Sequence, residues 1–410
     1  MVPDLDRITA IAELLNHPQR TYPSIHITGT NGKGTTARLI TRILCAHGLA
    51  TGMYTSPHLS SVTERFALCD EEMSEREFAE TYEHLLPYLQ TVDAQGEDRV
   101  TYFETLTALA YLWFADKPVD AGVFEVGMGG EWDATNLIDS KVAVFCPIDL
   151  DHPELGSTVE EVAKEKAGII KPGATVVIAD PNAGTMSAVE PRAKELGCTL
   201  VVRGRDYDVE ESVAAVGGQQ ISVRTQRAEY SEFLLPLFGQ HQAENAATAI
   251  AACEAFLGNA LNADALRDAL SAVTSPGRLE VVSRHPLVVL DGAHNPHAAA
   301  ALSDALPEAF VWKRLHLVIS ALETKDVAGI VAPLASRTSR AYATANSKPK
   351  SLTPERMAEA CEAAGMTAEA FDSVGAALDA AEESAGKDDL ILVTGSLYTV
   401  ADARPRYMKD

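Results

Sequence analysis

The chain predicts an α/β architecture. A phosphate-loop-type, mostly parallel sheet domain with a small antiparallel patch precedes a smaller C-terminal α/β domain. Three observations predict it. Short apolar runs alternate with stretches of helical spacing through nearly the whole chain. A glycine-rich turn, Thr28-Gly-Thr-Asn-Gly-Lys-Gly-Thr35, separates an apolar run at 22–27 from a helical stretch at 34–47. The alternation then pauses at Thr274-Ser-Pro-Gly277, which has the chemistry of a turn or linker, and restarts beyond it. The expected domains are therefore 1–274 and 275–410.

Taken in order, the turn is followed by a strand at 50–54, helices at 74–90 and 101–114, and strands at 119–126 and 142–147. A helix at 159–169, a strand at 175–179, a helix at 186–196 and a short strand at 198–202 continue the pattern. Residues 206–236 have another texture, rich in Val, Gln, Ser and Thr with period-two runs, and read as the antiparallel patch. Helices at 242–256 and 263–273 close the first domain. The second has strands at 287–290, 315–319, 340–344 and 390–394, with helices at 296–306, after Pro354 and at 374–384.

Composition narrows the function classes. The 410 residues include 34 Lys and Arg against 58 Asp and Glu, a net charge of −24, which argues against nucleic acid or an anionic membrane as partner. Anionic small molecules remain compatible, because a glycine loop, a few cations and magnesium act locally while the diffuse field is screened beyond about 8–10 Å. The sequence has no apolar run of transmembrane length and no signal-peptide pattern at its start. Its six cysteines lack any C-x-x-C pair, so neither a thiolate metal site nor a disulfide framework is expected. A cytoplasmic monomer acting on small molecules is the resulting expectation.

The turn at 28–35 carries the first chemistry. Strand, glycine turn and helix start present backbone N–H groups to a phosphate, Lys33 adds a cation, and Thr35 brings a hydroxyl to any bound magnesium. The strict G-x-x-x-x-G-K-[ST] pattern fails, because Gly34 stands between Lys33 and Thr35. Three other polar stretches follow expected strands: Tyr54-Thr-Ser-Pro-His-Leu59; Glu125-Val-Gly-Met-Gly-Gly130 with Asp133-Ala-Thr-Asn136; and Asp149-Leu-Asp-His152 leading to Glu165-Lys-Ala-Gly168. Ligands of open α/β sheets bind beyond the carboxyl ends of strands, so these stretches and the loop are expected to converge. Ser56, Glu125 and His152 then offer a hydroxyl, a carboxylate and an imidazole near a triphosphate, and magnesium takes a few such ligands besides phosphate oxygens and water. Singly, each has a blander reading: a capping glutamate, a structural histidine, a Ser-Pro turn. Their joint placement favours the site.

These motifs, with Thr101-Tyr-Phe-Glu104, His241-Gln242 and Asn245, Pro276-Gly-Arg278, Asp291-Gly-Ala-His-Asn-Pro296 and Thr394-Gly-Ser-Leu-Tyr398, occur in an order that resembles the folylpolyglutamate synthase/dihydrofolate synthase family of the Mur ligase superfamily. The resemblance spans about residues 5–404. It implies an ATP-dependent amide ligase: ATP phosphorylates a carboxylate, and the amine of glutamate displaces the phosphate. It implies that Thr30, Asn31, Gly32, Lys33, Gly34 and Thr35 hold the ATP phosphates, and that Asn245, Arg278 and Asp291 contact the nucleotide once the second domain closes. Ser56, Glu125 and His152 resemble magnesium ligands. Lys166 matches a lysine that is carbamylated in the family and holds a second magnesium; from sequence alone it is a solvated helix lysine. Thr101, Tyr102, Phe103 and Glu104, with Trp132, Asp133 and Ala134, resemble the pteroate-binding segments, and His294 and Ser396 the glutamate-binding pair. Lys33, Lys166 and His294 are the implied catalytic residues. By pattern alone, Tyr102 and Phe103 are equally a buried helix face.

Three departures from the family pattern stand out. Glu131 replaces a common Arg after the Gly-Gly pair, the segment 151–156 is one residue shorter, and few residues precede the loop. A peptidoglycan Mur ligase needs a UDP-binding domain before the loop, for which 27 residues leave no room. A kinase or GTPase of another class has no use for Glu125, His152 and the motifs from Arg278 onward. A non-catalytic nucleotide-binding protein has no reason to retain the full ligand set. Retention of 101–104 and 133–136 predicts both dihydrofolate-forming and polyglutamate-extending activity.

Overall fold

A computed structural model describes residues 4–96 and 98–408. The chain divides into two compact units. The first comprises Met1–Val213, Gln220–Pro236 and Gln242–Val273; the second comprises Thr274–Asp410 together with Ala214–Gln219 and Leu237–His241. Those two short pieces belong to the second unit although they precede the linker in sequence.

In the first unit the order is α1 (Asp6–Leu14), β1 (Ser24–Thr28), α2 (Lys33–Ala46), β2 (Thr51–Tyr54), β3 (Phe66–Leu68), β4 (Glu71–Glu72), α3 (Glu75–Gln95), α4 (Tyr102–Asp116), β5 (Ala121–Glu125), β6 (Ser140–Phe145), α5 (Val159–Lys166), β7 (Thr175–Ile178), α6 (Ala183–Glu195) and β8 (Thr199–Val202). Next come β9 (Tyr207–Ala215), β10 (Gly218–Thr225), β11 (Glu229–Leu235), α7 (Gln240–Leu257) and α8 (Ala263–Ser271). The eight-stranded sheet has the order β4-β3-β2-β5-β1-β6-β7-β8. Its pairs from β2 to β8 are parallel, and β3 and β4 add antiparallel at one edge. The sequence reading missed that edge because its strands are only three and two residues long. The patch at 206–236 is a separate three-stranded sheet, β11-β10-β9.

Strands β1 and β5 are buried at every position, as parallel strands covered on both faces must be. Their packing includes an aromatic cluster in which Phe124 meets Tyr22, Tyr54, Tyr111 and Phe114. The helices start where the side chains dictate. Ser74 with Glu77 and Thr101 with Glu104 form reciprocal capping boxes on α3 and α4.

The second unit runs β12 (Glu280–Arg284), β13 (Leu287–Leu290), α9 (Pro296–Ala309), β14 (Leu315–Ile319), α10 (Val327–Ala335), β15 (Arg340–Thr344), α11 (Pro354–Ala363), β16 (Ala368–Phe371), α12 (Val374–Ser384), β17 (Leu390–Thr394) and α13 (Leu397–Ala403). The sheet order is β12-β13-β17-β14-β15-β16, parallel except for β12. No helix of the described residues is long and apolar enough to cross a membrane.

One expectation fails. Cys45, in the last turn of α2, and Cys69, in the turn between β3 and β4, are joined in a disulfide with Cα atoms 5.8 Å apart. Spacing in sequence gave no sign of it, because the two cysteines meet only once β3 pairs antiparallel with β2.

Beneath β1 lies a buried polar chain. His26 Nε2 meets Thr135 Oγ1 at 2.8 Å, and Thr135 Oγ1 donates onward to Asp133. Nε2 therefore carries the proton, and Nδ1 faces the interior without a partner. Burial pushes the imidazole down to about 3, with Lys171 adding to the effect. Because the folded-state value lies below the unfolded one, this stabilisation is complete above about pH 6.5 and is lost as pH falls toward 3. Linkage puts the loss at about 2–3 kcal/mol by pH 4.5. Urea melts between pH 7 and 4.5 should show a steep fall for the wild type and a shallower one for His26→Gln, which keeps the Nε donor but cannot protonate. Equal slopes would contradict it.

Candidate active site

The four adjacent central strands β2, β5, β1 and β6 run parallel, so their carboxyl ends lie side by side. From them emerge, in the same order, Ser56, Glu125, the glycine turn and the segment to His152. Parallel order brings together what sequence scatters across about a hundred residues.

The turn is shaped by glycine. Gly29 has φ +144°, and Gly32 has φ +86° as the cap of α2. A Cβ on Gly32 would lie 2.6 Å from Asn245 Oδ1 of α7, so Asn245 packs directly on the turn. Thr30 is pinned by its hydroxyl, which donates to the Asp149 carbonyl at 2.7 Å. The first-turn N–H groups of α2 have no carbonyl to serve within the helix, which suits them to an anion. At Gly34 an added methyl would sit 3.4 Å from Glu125 Oε2. The residue that breaks the usual loop pattern is the one that passes the carboxylate.

Glu125 is only 4% exposed and accepts the Ser56 N–H at 3.1 Å. Lys33 Nζ folds back onto the Gly29 carbonyl at 2.9 Å. Lys166 Nζ, from the end of α5, reaches the same carbonyl at 3.0 Å. Lys166 is not a solvated helix lysine: it is 3% exposed. Burial, reinforced by the charge of Lys33 and partly offset by Asp133 and Asp151, lowers its ammonium to about 7. His152 is half-exposed, with Nε2 3.3 Å from Asp151.

The described residues contain no group of three or more His, Cys, Asp and Glu that could hold a metal. Glu125, the Ser56 hydroxyl and His152 are donors that strand order places at neighbouring strand ends, and with ligand oxygens their chemistry fits magnesium bound largely through phosphate. Lys166 as an amine is a hydrogen-bond donor to the Gly29 carbonyl and not a ligand of that kind.

The expected pteroate segments are built differently from one another. Thr101 and Glu104 are spent on the start of α4: Glu104 accepts the Thr101 N–H at 2.7 Å, and Thr101 Oγ1 accepts the Glu104 N–H at 3.2 Å. Tyr102 is 61% exposed, beneath the Arg65 guanidinium at 5.8 Å, whereas Phe103 packs against Tyr54. Trp132 is partly buried against the core beside α5 and α6. Asp133 turns inward, accepting the N–H groups of Met128 at 2.9 Å and Thr135 at 3.0 Å, and burial raises its carboxyl. Ala134 is buried, and its carbonyl accepts the Tyr111 hydroxyl at 2.8 Å. Glu131 is exposed, its N–H held by the carbonyl and side chain of Glu165.

Sequence reasoning missed Arg7 of α1. Its guanidinium grips Glu104 through Nε at 3.1 Å and Nη2 at 3.0 Å, with the side chains 11% and 6% exposed. Ninety-seven residues separate the pair, so only the capping-box half was legible. Removing one partner of a buried pair strands the other charge. Arg7→Met should therefore cost about 3 kcal/mol in urea unfolding. The double variant Arg7→Met/Glu104→Gln should recover most of it, since Gln keeps the capping box. A double variant as weak as the single one would count against the account.

In the second unit, β13, β17, β14 and β15 are parallel neighbours whose carboxyl ends carry Asp291–His294, Ser396, Ser320 and Asn346. The Asp291 carboxylate is buried and accepts the N–H groups of Leu279 at 2.9 Å and Ala293 at 2.8 Å. Burial raises its carboxyl, opposed by Arg278. A Cβ on Gly292 would lie 2.9 Å from an Arg278 guanidinium nitrogen, so backbone and guanidinium pack closely. His294 Nδ1 rests 3.0 Å from the Gly292 carbonyl. Ser396 is buried and caps α13 by accepting the Tyr398 N–H at 3.1 Å.

This combination of a phosphate loop sheet and a second α/β unit defines the class. Residues 27–253 match the Mur ligase middle domain, and residues 277–397 the Mur ligase glutamate ligase domain. The dihydrofolate synthase/folylpolyglutamate synthase of Mycobacterium tuberculosis is 38% identical over 441 residues, covering 100% of this chain and 91% of that protein. The solved structure of M. tuberculosis folylpolyglutamate synthase complexed with ADP and AMPPCP has a TM-score of 0.96 at 38% identity, covering 100% of this chain and 96% of that one. The bifunctional folylpolyglutamate synthase/dihydrofolate synthase of Yersinia pestis, complexed with AMPPNP and a Mn ion, has a TM-score of 0.87 at 32% identity, covering 99% and 94%. The chain belongs to the folylpolyglutamate synthase/dihydrofolate synthase family.

Proposed function

We propose that the protein ligates L-glutamate to a carboxylate at the expense of ATP, through an acyl phosphate. The acceptors are the carboxylate of dihydropteroate and the γ-carboxylate of folate. The observation that carries this reading is the alignment of Ser56, Glu125, the glycine turn and the His152 segment at the carboxyl ends of adjacent parallel strands. Family membership and the nucleotide complexes of related structures support it.

The chemistry accounts for the residue types. A carboxylate is a poor acylating agent, and joining it to a phosphoryl group brings two anions together, so charge must be neutralised and the groups aligned. We assign Thr30 to Thr35 and Asn245 to the phosphates and nucleotide, with Lys33 moving off the Gly29 carbonyl to meet the transferred phosphoryl group. Residues 1–274 form the nucleotide-binding part in this reading, and residues 275–410 the glutamate-ligase part. Arg278 and Asp291 are assigned nucleotide contacts on the family resemblance.

Magnesium, for which we propose two sites, would supply neutralisation of the phosphate charge when bound. Ser56, Glu125 and His152 would hold one ion, and Lys166 as its carbamate would serve the other. Carbamylation needs a neutral amine, and a lysine titrating near 7 offers one at physiological pH where an ordinary lysine does not. Thr101–Glu104 and Trp132–Ala134 shape the heterocycle site. In it Tyr102 presents a flat exposed face, while Glu104 and Asp133 act by fixing backbone. His294 and Ser396 hold glutamate, delivering its amine to the acyl phosphate. We place the reaction in the cytoplasm, where ATP and folate precursors are supplied, with the protein acting as a monomer.

Purified protein should release ADP only when Mg-ATP, glutamate and a pteroate acceptor are present together. Parallel assays with 7,8-dihydropteroate and tetrahydrofolate should both give ligated product. Turnover with neither acceptor would sink the reading, and turnover with one alone would restrict it to a single activity.

A further inference from the structure

The second unit contains a buried polar chain that none of the assignments above uses. Asn346, just past β15, donates from Nδ2 to Ser320 Oγ at 3.1 Å. Ser320, just past β14, shares a short hydroxyl–hydroxyl bond with Thr399 in the first turn of α13. Thr399 Oγ1 also reaches the Ser320 carbonyl at 3.4 Å. Exposure is 6% for Asn346 and nil for Ser320 and Thr399. Each of these polar groups costs free energy to bury unless it is paired, and the chain pairs them.

Two further contacts tie the same loop to the same helix. Ser347 donates to Asp402 from its N–H at 2.7 Å and its hydroxyl at 2.8 Å. Lys348 Nζ lies 4.7 Å above the Tyr398 ring. Tyr398, Thr399 and Asp402 lie at helical spacings of one, three and four, so they share one face of α13, which the loop and Ser320 hold along its length. The loop itself is braced, with Asn346 Oδ1 accepting the Lys348 N–H at 3.1 Å and Ser351 Oγ accepting the Asn346 N–H at 2.9 Å. Ser320 also abuts the residue before Ser396: a Cβ on Gly395 would fall 2.2 Å from the Ser320 carbonyl oxygen.

We propose that Ser320, Asn346 and Thr399, with the 346–348 loop, are positioning residues for the glutamate subsite, setting where α13 begins and hence where the Ser396 hydroxyl points. The inference rests on the assignment of Ser396 to glutamate. Ser396 already accepts the Tyr398 N–H, so its remaining freedom is the direction of its own proton, which follows the orientation of the helix start. The chain acts through Ser396 and touches no reacting atom. Loosening it therefore weakens glutamate binding in ground and transition states alike, raising KM and sparing kcat.

The test compares the full-length wild type with Thr399→Val, which keeps the shape and removes the hydroxyl, Thr399→Ser, which keeps the hydroxyl, and Asp402→Ala at an exposed site. Steady-state kinetics are run for glutamate, ATP and the pteroate acceptor, with amide exchange over 397–403 measured in parallel. Thr399→Val should raise KM for glutamate at least five-fold, with kcat and the other two KM values within two-fold and faster exchange in α13. Thr399→Ser should stay within two-fold throughout. Asp402→Ala should raise KM for glutamate two- to three-fold with an unchanged melting temperature. An active wild type whose variants lose kcat alone, or show faster exchange without a change in KM for glutamate, overturns the inference and leaves the ligase reading standing. A wild type with no glutamate-dependent turnover overturns both.

Discussion

Lys166→Ala should lower kcat by about 10³-fold, roughly 4 kcal/mol of transition-state stabilisation, with the fold intact. The amine sits 3.0 Å from the Gly29 carbonyl of the glycine turn, and almost no solvent reaches it. A buried ammonium beside Lys33 is unfavourable, and that is why it titrates near 7 instead of at the usual lysine value. As a carbamate, the same side chain would put a negative oxygen donor where a cation beside transferred phosphate needs one. Two readouts separate this role from mere packing. Bicarbonate should not rescue Lys166→Ala, because alanine offers no amine. In addition, ¹³C NMR of wild type in [¹³C]bicarbonate should show a carbamate carbon that weakens as pH drops below 7 and is absent from the variant. Near-normal turnover in Lys166→Ala would remove the lysine from the mechanism.

Glu125→Gln should have the second-largest effect, a fall of about 10²-fold in kcat with a raised magnesium requirement. The substitution is nearly isosteric, and the Gln carbonyl can still accept the Ser56 N–H that Glu125 Oε2 now holds at 3.1 Å. What it removes is the charge. The geometry around Gly34, where a methyl would abut Glu125 Oε2, should be undisturbed. Melting should therefore change little while activity collapses. Equal loss of stability and activity would mean that Glu125 is structural.

The contrast between Lys166 and Glu125 shows what a single sequence makes legible. Glu125 ends an apolar run and precedes a glycine cluster, so its place at a strand end followed from local pattern. The strands at 287–290, 315–319, 340–344 and 390–394 were legible for the same reason, and match β13, β14, β15 and β17. Lys166 was not legible in that way. Its burial depends on α5 delivering it to a turn 137 residues earlier in the chain, and only resemblance to a family singled it out. The Arg7–Glu104 pair and the Cys45–Cys69 bond were invisible for the same physical reason: they join residues 97 and 24 positions apart that only the folded chain brings together. The missed elements α1, α10, α13, β12 and β16 are short, and so few residues do not establish a period.

Thr101, Glu104, Asp133 and Asp291 carry a related lesson. Sequence marked them as parts of the site, and the structure spends their side chains on backbone N–H groups. Polar residues next to glycine turns serve a ligand either by touching it or by holding the backbone that does, and spacing alone does not separate the two.

The central claim is that the acceptor's carboxyl group passes through an acyl phosphate on its way to the amide, with one of its two oxygens leaving in the phosphate. The direct measurement uses a pteroate acceptor labelled with ¹⁸O in its carboxylate, incubated with Mg-ATP, glutamate and the protein, with the phosphate and the ligated product analysed by mass spectrometry. One ¹⁸O should appear in inorganic phosphate for each amide formed. Amide formation with unlabelled phosphate would contradict the account.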